Sequence, residues 1–180
     1  MRRITLPASV DAFDARFDRL WDRFRGNRAL DALFYTASEV GDFGMVWMAM
    51  SGVQGALGAP EQTRHFLRVA GVLGVESIVV NVGLKSFFRR ERPPWDQDRP
   101  MQLRKPKTSS FPSGHSSSAV TAALLLSDSN PTLAPLWWAI AGIVATSRVH
   151  VKIHHASDVV GGLAVGAVIG TVVLWLLPIS

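Results

Sequence analysis

The chain has 180 residues, 48% of them hydrophobic and 18% charged, with a formal net charge of +5. That length suits one compact domain, and the absence of cysteine excludes a disulfide framework and cysteine-ligated zinc. Charges crowd into residues 1–31 and 85–107 and leave long stretches nearly uncharged, the layout of membrane helices joined by polar loops rather than of a soluble globule.

The segment "VDAFDARFDRLWDRFRG" is too charged for the apolar core of a cleavable signal. In residues 9–25, Val10, Phe13, Phe17, Leu20, Trp21 and Phe24 recur at three- and four-residue steps, with Asp and Arg between them. This predicts an amphipathic helix capped by Ser9. Such a helix can lie in the membrane interface or pack against the rest of the protein. Five candidate spans follow, at 43–58, 65–87, 111–127, 130–147 and 159–177. The second is interrupted by Arg68 and Glu76. The fourth carries Trp137 and Trp138 where interfacial aromatics belong. In the fifth, Gly162, Gly166 and Gly170 recur every fourth residue, a stripe that lets another helix backbone approach closely. The expected fold is therefore all-α: an integral membrane helical bundle of about five spans with an N-terminal amphipathic interfacial helix. Residues 1–32 form that interfacial segment and residues 33–180 the membrane-embedded domain.

Two polar stretches carry the chemistry. Prolines and charges in "RRERPPWDQDRPMQLRKPKTSSFPSGH" forbid a spanning helix, so it is a loop. "SRVHVKIHHASD", residues 147–158, joins the last two spans, and five crossings put both stretches on one membrane face. That face collects Lys85, Arg92, Arg148, Ser113, His115, His154 and Asp158. A phosphate monoester needs cations around its oxygens, an in-line nucleophile and an acid for the departing alkoxide. Histidine can serve as either nucleophile or acid. His154 and Asp158 stand four apart, a helical spacing at which the carboxylate can orient the ring. Gly114 allows close approach of an anion, and Ser113 offers a hydroxyl at the start of a helix whose N–H groups favour negative charge. Glu76 and Asn81 are expected to hydrogen-bond within the bundle.

"KSFFRRERP" (85–93), "PSGH" (112–115) and "SRVHVKIHHASD" (147–158) together resemble the three signature motifs of the type-2 phosphatidic acid phosphatase superfamily, which includes vanadium haloperoxidases. The pattern is Lys, six residues, Arg-Pro; then Pro-Ser-Gly-His; then Ser-Arg, five residues, His, three residues, Asp. Every fixed position matches, in order, and the resemblance covers roughly residues 65 to 178. It implies that Lys85, Arg92, Arg148, Ser113 and the Gly114 backbone hold the phosphate. His154 then attacks phosphorus and becomes phosphohistidine, steered by Asp158, while His115 protonates the leaving oxygen and later activates water. No metal or other cofactor is implied, and His150 and His155 are bystanders.

The resemblance implies a lipid-phosphate phosphatase whose partners are membrane lipids and a lipid phosphate substrate, with no nucleic acid involved. Candidate substrates are prenyl-linked, such as decaprenylphosphoryl-5-phosphoribose or undecaprenyl diphosphate, with phosphatidic acid and phosphatidylglycerol phosphate as alternatives. A haloperoxidase fits less well because those relatives are larger and soluble, and a purely anion-binding module would not need both histidines. Membrane members of the family resemble six-span bundles, whereas this chain reads as five. Arg2, Arg3, Arg16, Arg19, Arg23, Arg25, Arg28, Arg89, Arg90, Arg99, Arg104, Lys105 and Lys107 fall on the site's face, against Arg64 and Arg68 opposite. Positive loops stay cytoplasmic, so the expected site faces the cytoplasm of a bacterial plasma membrane.

Overall fold

Pro7 cannot continue a preceding helix, and the first one starts immediately after it, α1 at Ala8–Trp21. The computed structural model describes residues 6–57, 60–94, 100–101, 103 and 106–178, and every regular element among them is helical. Ser9 sits inside the first turn of α1 and is not its cap. The apolar stripe of α1 is divided. Phe17 and Trp21 pack against Ala145, Val149, Ala156 and Val159, while Phe13, Leu20 and Phe24 stay exposed. The helix thus docks on the protein through Phe17 and Trp21 and leaves its own Phe13 and Leu20 exposed.

The helix α2, Arg28–Val40, is capped by Asn27, whose side chain accepts from the N–H groups of Ala29 and Leu30. It packs along α6, and a domain division at residue 32 would cut through it. A short turn at Asp42–Gly44 leads into α3, Met45–Leu57. Next, α4 runs over Pro60–Ile78 and continues through a wide π-helical turn, Val79–Leu84, into Lys85–Phe87. The remaining helices are α5 (Gly114–Ser129), α6 (Ala134–His150) and α7 (Ala156–Leu176).

Among the described residues, three stretches are long and apolar enough to cross a membrane: Pro60–Phe87, Pro131–His150 and Ala156–Leu176. The 13 residues of α3 and 16 of α5 rise about 20 and 24 Å, short of a hydrocarbon core of about 30 Å. Val75, Ile78 and Val82 of α4 and Val160, Val168 and Val172 of α7 are exposed, an apolar outer surface suited to lipid. Between these helices, α5 is almost wholly buried. Its Ala119, Ala122, Ala123, Leu125 and Leu126 meet Trp47 of α3, Leu73 of α4 and Trp137 of α6. Trp137 is thus a core residue at 4% exposure, and only Trp138 faces outward.

The glycine stripe decides how closely α7 lies on α5. A Cβ at Gly162 would fall 2.3 Å from the Ser113 carbonyl oxygen, and one at Gly166 the same distance from that of Ser117. At Gly170 it would meet Leu124 Cδ1 at 2.6 Å. No side chain fits there, so backbone packs on backbone. At the far end from the polar loops, Arg68 of α4 donates to Asp128 at the end of α5, 3.0 Å away, which gives the intrahelical arginine its partner.

Candidate active site

The site lies where the end of α4, the start of α5 and the end of α6 meet. Ser113 caps α5: its hydroxyl accepts from Ser116 N and from Ser116 Oγ, and its own N–H donates 3.0 Å to the Asp158 carbonyl. Being fully buried, Ser113 stands behind the wall of the site, and Gly114, His115 and Ser118 form its surface. Gly114 has a second role that spacing alone did not reveal. A Cβ there would lie 2.8 Å from Asn81 Oδ1, so the glycine admits Asn81 of the π-helical turn. Asn81 in turn accepts from Lys85 Nζ at 2.9 Å and aims that ammonium. Glu76 and Asn81 both line the cleft, where the sequence suggested hydrogen bonding within the bundle.

His154 is not on a helix with Asp158, because α7 begins at Ala156. The chain between α6 and α7 folds back so that the N–H groups of Ile153 and His154 both donate to the Arg148 carbonyl, each at 3.1 Å. That fold fixes the nucleophile candidate to the arginine six residues before it. Asp158 is the third residue of α7, and its Oδ2 accepts from the His155 N–H at 2.9 Å. The same Oδ2 stands 3.6 Å from His154 Nδ1, just beyond a hydrogen bond. On the other side of the ring, His154 Nε2 is 3.2 Å from Arg92 Nη1. Burial, and then the neighbouring guanidinium groups of Arg148 and Arg92, hold the His154 ring well below the usual histidine range against the pull of Asp158. Its neutral form, with a lone pair available, prevails at ordinary pH.

Arg92 spans the site entrance, donating to the carbonyls of Ile153, Thr108 and Ser109 at 2.9, 3.2 and 3.2 Å. Arg148 is buried and donates to both the carbonyl and the hydroxyl of Ser38 in α2. His115 Nε2 lies 3.2 Å from the Ser38 carbonyl and 3.1 Å from Asp42 Oδ1. Both neighbours are acceptors, so that nitrogen carries a proton. Ser38 and Asp42 were not among the sequence candidates. They come from α2 and the turn after it, outside the motifs, and Gly41 between them keeps the space clear. A Cβ on Gly41 would sit 2.9 Å from His115 Cδ2.

One cleft of about 200 Å³ is lined at once by Lys85, Arg92, Gly114, His115, Arg148 and His154, with Asp42 and Glu76 on its acidic side. Asp158 is fully buried behind His154. Three cations and two histidines from three separated segments thus converge, with Ser113 and Asp158 supporting them from behind. His150 lies outside the cleft. It receives the Trp21 indole N–H at 3.1 Å and meets Asp31 at 2.8 Å, clasping α1 and α2 to the end of α6. His155 reaches the Glu91 carbonyl and likewise takes no part in the cleft.

The model of the PAP2 superfamily matches residues 66–179. The chain belongs to the PAP2 superfamily. Among curated relatives, the decaprenylphosphoryl-5-phosphoribose phosphatase of Mycobacterium tuberculosis is 33% identical over 139 residues, 76% of this chain and 74% of that protein. Its namesake from Mycolicibacterium smegmatis is 34% identical over 126 residues, 69% of this chain and 67% of that protein. Among solved structures, a transmembrane PAP2-type phosphatidylglycerolphosphate phosphatase from Bacillus subtilis superposes with a TM-score of 0.73. At 23% identity it covers 94% of this chain and 87% of its own. This PAP2 protein therefore shares the transmembrane PAP2 fold, and its relatives carry the names of phosphatases acting on lipid phosphates.

Proposed function

We propose that this protein is a metal-independent membrane phosphatase that hydrolyses a lipid-linked phosphate through a phosphohistidine on His154. The observation that carries the reading is the convergence of Lys85, Arg92, Arg148 and His115 around a buried, neutral His154 whose Nε2 faces Arg92. The three cations and the Gly114 N–H neutralise the phosphoryl oxygens. His154 Nε2 attacks phosphorus, the bond to the lipid-side oxygen breaks, and His115 gives that oxygen its proton. Water then attacks the phosphohistidine, His115 takes the water's proton, and inorganic phosphate leaves with His154 restored. Asp158 receives the Nδ1 proton as a hydrogen bond, closing the 3.6 Å gap as positive charge builds on the ring.

The names of the mycobacterial relatives support a prenyl-linked substrate of the decaprenylphosphoryl-5-phosphoribose type. In this reading the bundle makes five crossings, the shorter α3 and α5 among them, with α1 at the interface, and the excess of basic residues supports a site on the cytoplasmic side of a bacterial plasma membrane. Arg2, Arg3, Arg99, Arg104 and Lys105, which contribute to that bias, lie outside the described residues. The substrate assignment is tested by comparing kcat/KM of the purified protein on prenylphosphoryl phosphoribose, undecaprenyl diphosphate, phosphatidic acid and phosphatidylglycerol phosphate. The first is expected to be turned over fastest, and a preference for a glycerolipid would overturn the assignment.

A further inference from the structure

Arg90 lies in the six-residue spacer of the first motif, where the family pattern assigns no role, and Asp14 lies outside the residues that the family model matches. Both are nevertheless buried at the catalytic pair. Arg90 Nη1 donates to Asp158 Oδ1 at 2.5 Å and to Ser157 Oγ at 2.7 Å, while its Nη2 donates to Asp14 Oδ2 at 2.5 Å. Asp14 is anchored independently by the Ser157 N–H and hydroxyl, each at 2.8 Å. The side chains of Arg90, Asp14 and Asp158 are 10%, 7% and 0% exposed, so these ion pairs are not surface decoration. The remaining oxygen of Asp158, Oδ2, accepts from Ser110 Oγ and the His155 N–H and faces His154 Nδ1.

We propose that Arg90 and Asp14 are positioning residues of the reaction. Arg90 grips one oxygen of Asp158 so that the other is presented to His154, and Asp14, carried by the N-terminal helix, grips Arg90 in turn. This proposal rests on His154 being the nucleophile. A carboxylate orients an imidazole only if it cannot rotate, and the Arg90 Nη1 bond to Oδ1 adds to that constraint beside the Ser110 and His155 bonds to Oδ2. A guanidinium beside one carboxylate would also tend to withdraw negative charge from the face that His154 needs. A second carboxylate on its far side, that of Asp14, offsets this by sharing the cation. The backbone of Arg90 is held as well: its N–H donates to Ser109 Oγ and its carbonyl accepts from the Ser110 N–H. The amphipathic helix α1 is in this account a working part of the catalytic face.

The test is steady-state kinetics of Asp14→Asn and Arg90→Gln beside wild type, Arg90→Lys, His154→Ala and, as a control one turn earlier on α1, the exposed Asp11→Asn. Each purified protein is also measured for melting temperature and for competitive inhibition by inorganic phosphate. Both Asp14→Asn and Arg90→Gln are expected to lower kcat about 10- to 100-fold, the scale of an ångström's misplacement. KM and phosphate inhibition should stay within about threefold, because the phosphate clamp is untouched. Arg90→Lys should recover part of the loss and Asp11→Asn should match wild type. Full kcat in Asp14→Asn and Arg90→Gln, with His154→Ala inactive, overturns the proposal and leaves the nucleophile assignment standing. A fall in kcat that tracks lost phosphate affinity or lost folded protein also overturns it, since it reduces both residues to scaffolding. Activity retained in His154→Ala removes the reading on which the proposal rests.

Discussion

A buried histidine flanked by two arginines is an unusual nucleophile, and its environment predicts how the enzyme responds to acid. Burial lowers the His154 pKa, so the ring stays neutral as pH falls through 6.5, the ordinary value for histidine, and is protonated only well below it. The rate of phosphoenzyme formation, followed by rapid-quench at saturating substrate, should show no loss of His154 reactivity near pH 6.5. An acid limb near pH 6.5 that moves to higher pH when Arg92, whose charge favours the neutral ring, is replaced would contradict this assignment. Arg92 itself donates through both terminal nitrogens, and a lysine cannot reproduce that fork. Arg92→Lys should therefore lose about 1.5–3 kcal/mol of transition-state stabilisation, the worth of a hydrogen bond to a charged group, read as a fall in kcat/KM. At this scale the sequence was informative wherever a residue's chemistry is written into fixed spacing, as for Lys85, Arg92, Arg148, His115 and His154. It was silent on Asp14, Arg90, Ser38 and Asp42. Each of these is an ordinary polar residue of an amphipathic or loop segment. Their partners lie far along the chain, 76 residues away for Asp14 and Arg90 and 77 for Ser38 and His115. Ser113 shows the converse, a motif residue whose hydroxyl serves as a helix cap.

Helix packing carries a prediction that separates two glycines with similar sequence surroundings. Gly166→Ala drives a methyl into the Ser117 carbonyl on α5, whereas Gly142→Ala on α6 adds one to open space. Overpacking of this kind costs about 1–3 kcal/mol, so Gly166→Ala should lower the melting temperature of the detergent-solubilised protein and Gly142→Ala should leave it unchanged or raise it. Equal melting temperatures would mean that the close approach of α5 and α7 does not hold. The stripe was legible because a four-residue glycine repeat has one geometric consequence on a helix. The long helices α6 and α7 were legible too, as uncharged runs. The helix α2 was not recognised, because Arg28 and Asp31 gave its first turn the look of the preceding charged segment. Trp137 misled for a related reason: an aromatic pair near the end of a span suggests an interface, but one of its two rings turns inward onto α5.

At the scale of the whole molecule, the polar chemistry gathers at one end of an apolar bundle, and that end is closed by α1 through Asp14 and by the turn after α1 through Arg25. Arg25 donates to the carbonyls of Val149 and His150 at 2.7 and 2.9 Å, capping α6. The side on which this end lies is open to direct test, because the native chain has no cysteine. A single cysteine at the exposed position of Lys107 should resist an impermeant maleimide in intact cells and react once the cells are opened. Labelling in intact cells would place the site outside. The broad class was legible from charge distribution alone, whereas the burial of α5 was not, since α3 and α5 are short helices that take their place through packing. The most direct test of the central claim is phosphate release from prenyl-linked phosphates by the purified protein in chelator, beside His154→Ala. Release that persists in chelator and disappears in the variant is the predicted result. Release that needs added metal, or that continues without His154, would contradict a phosphohistidine mechanism.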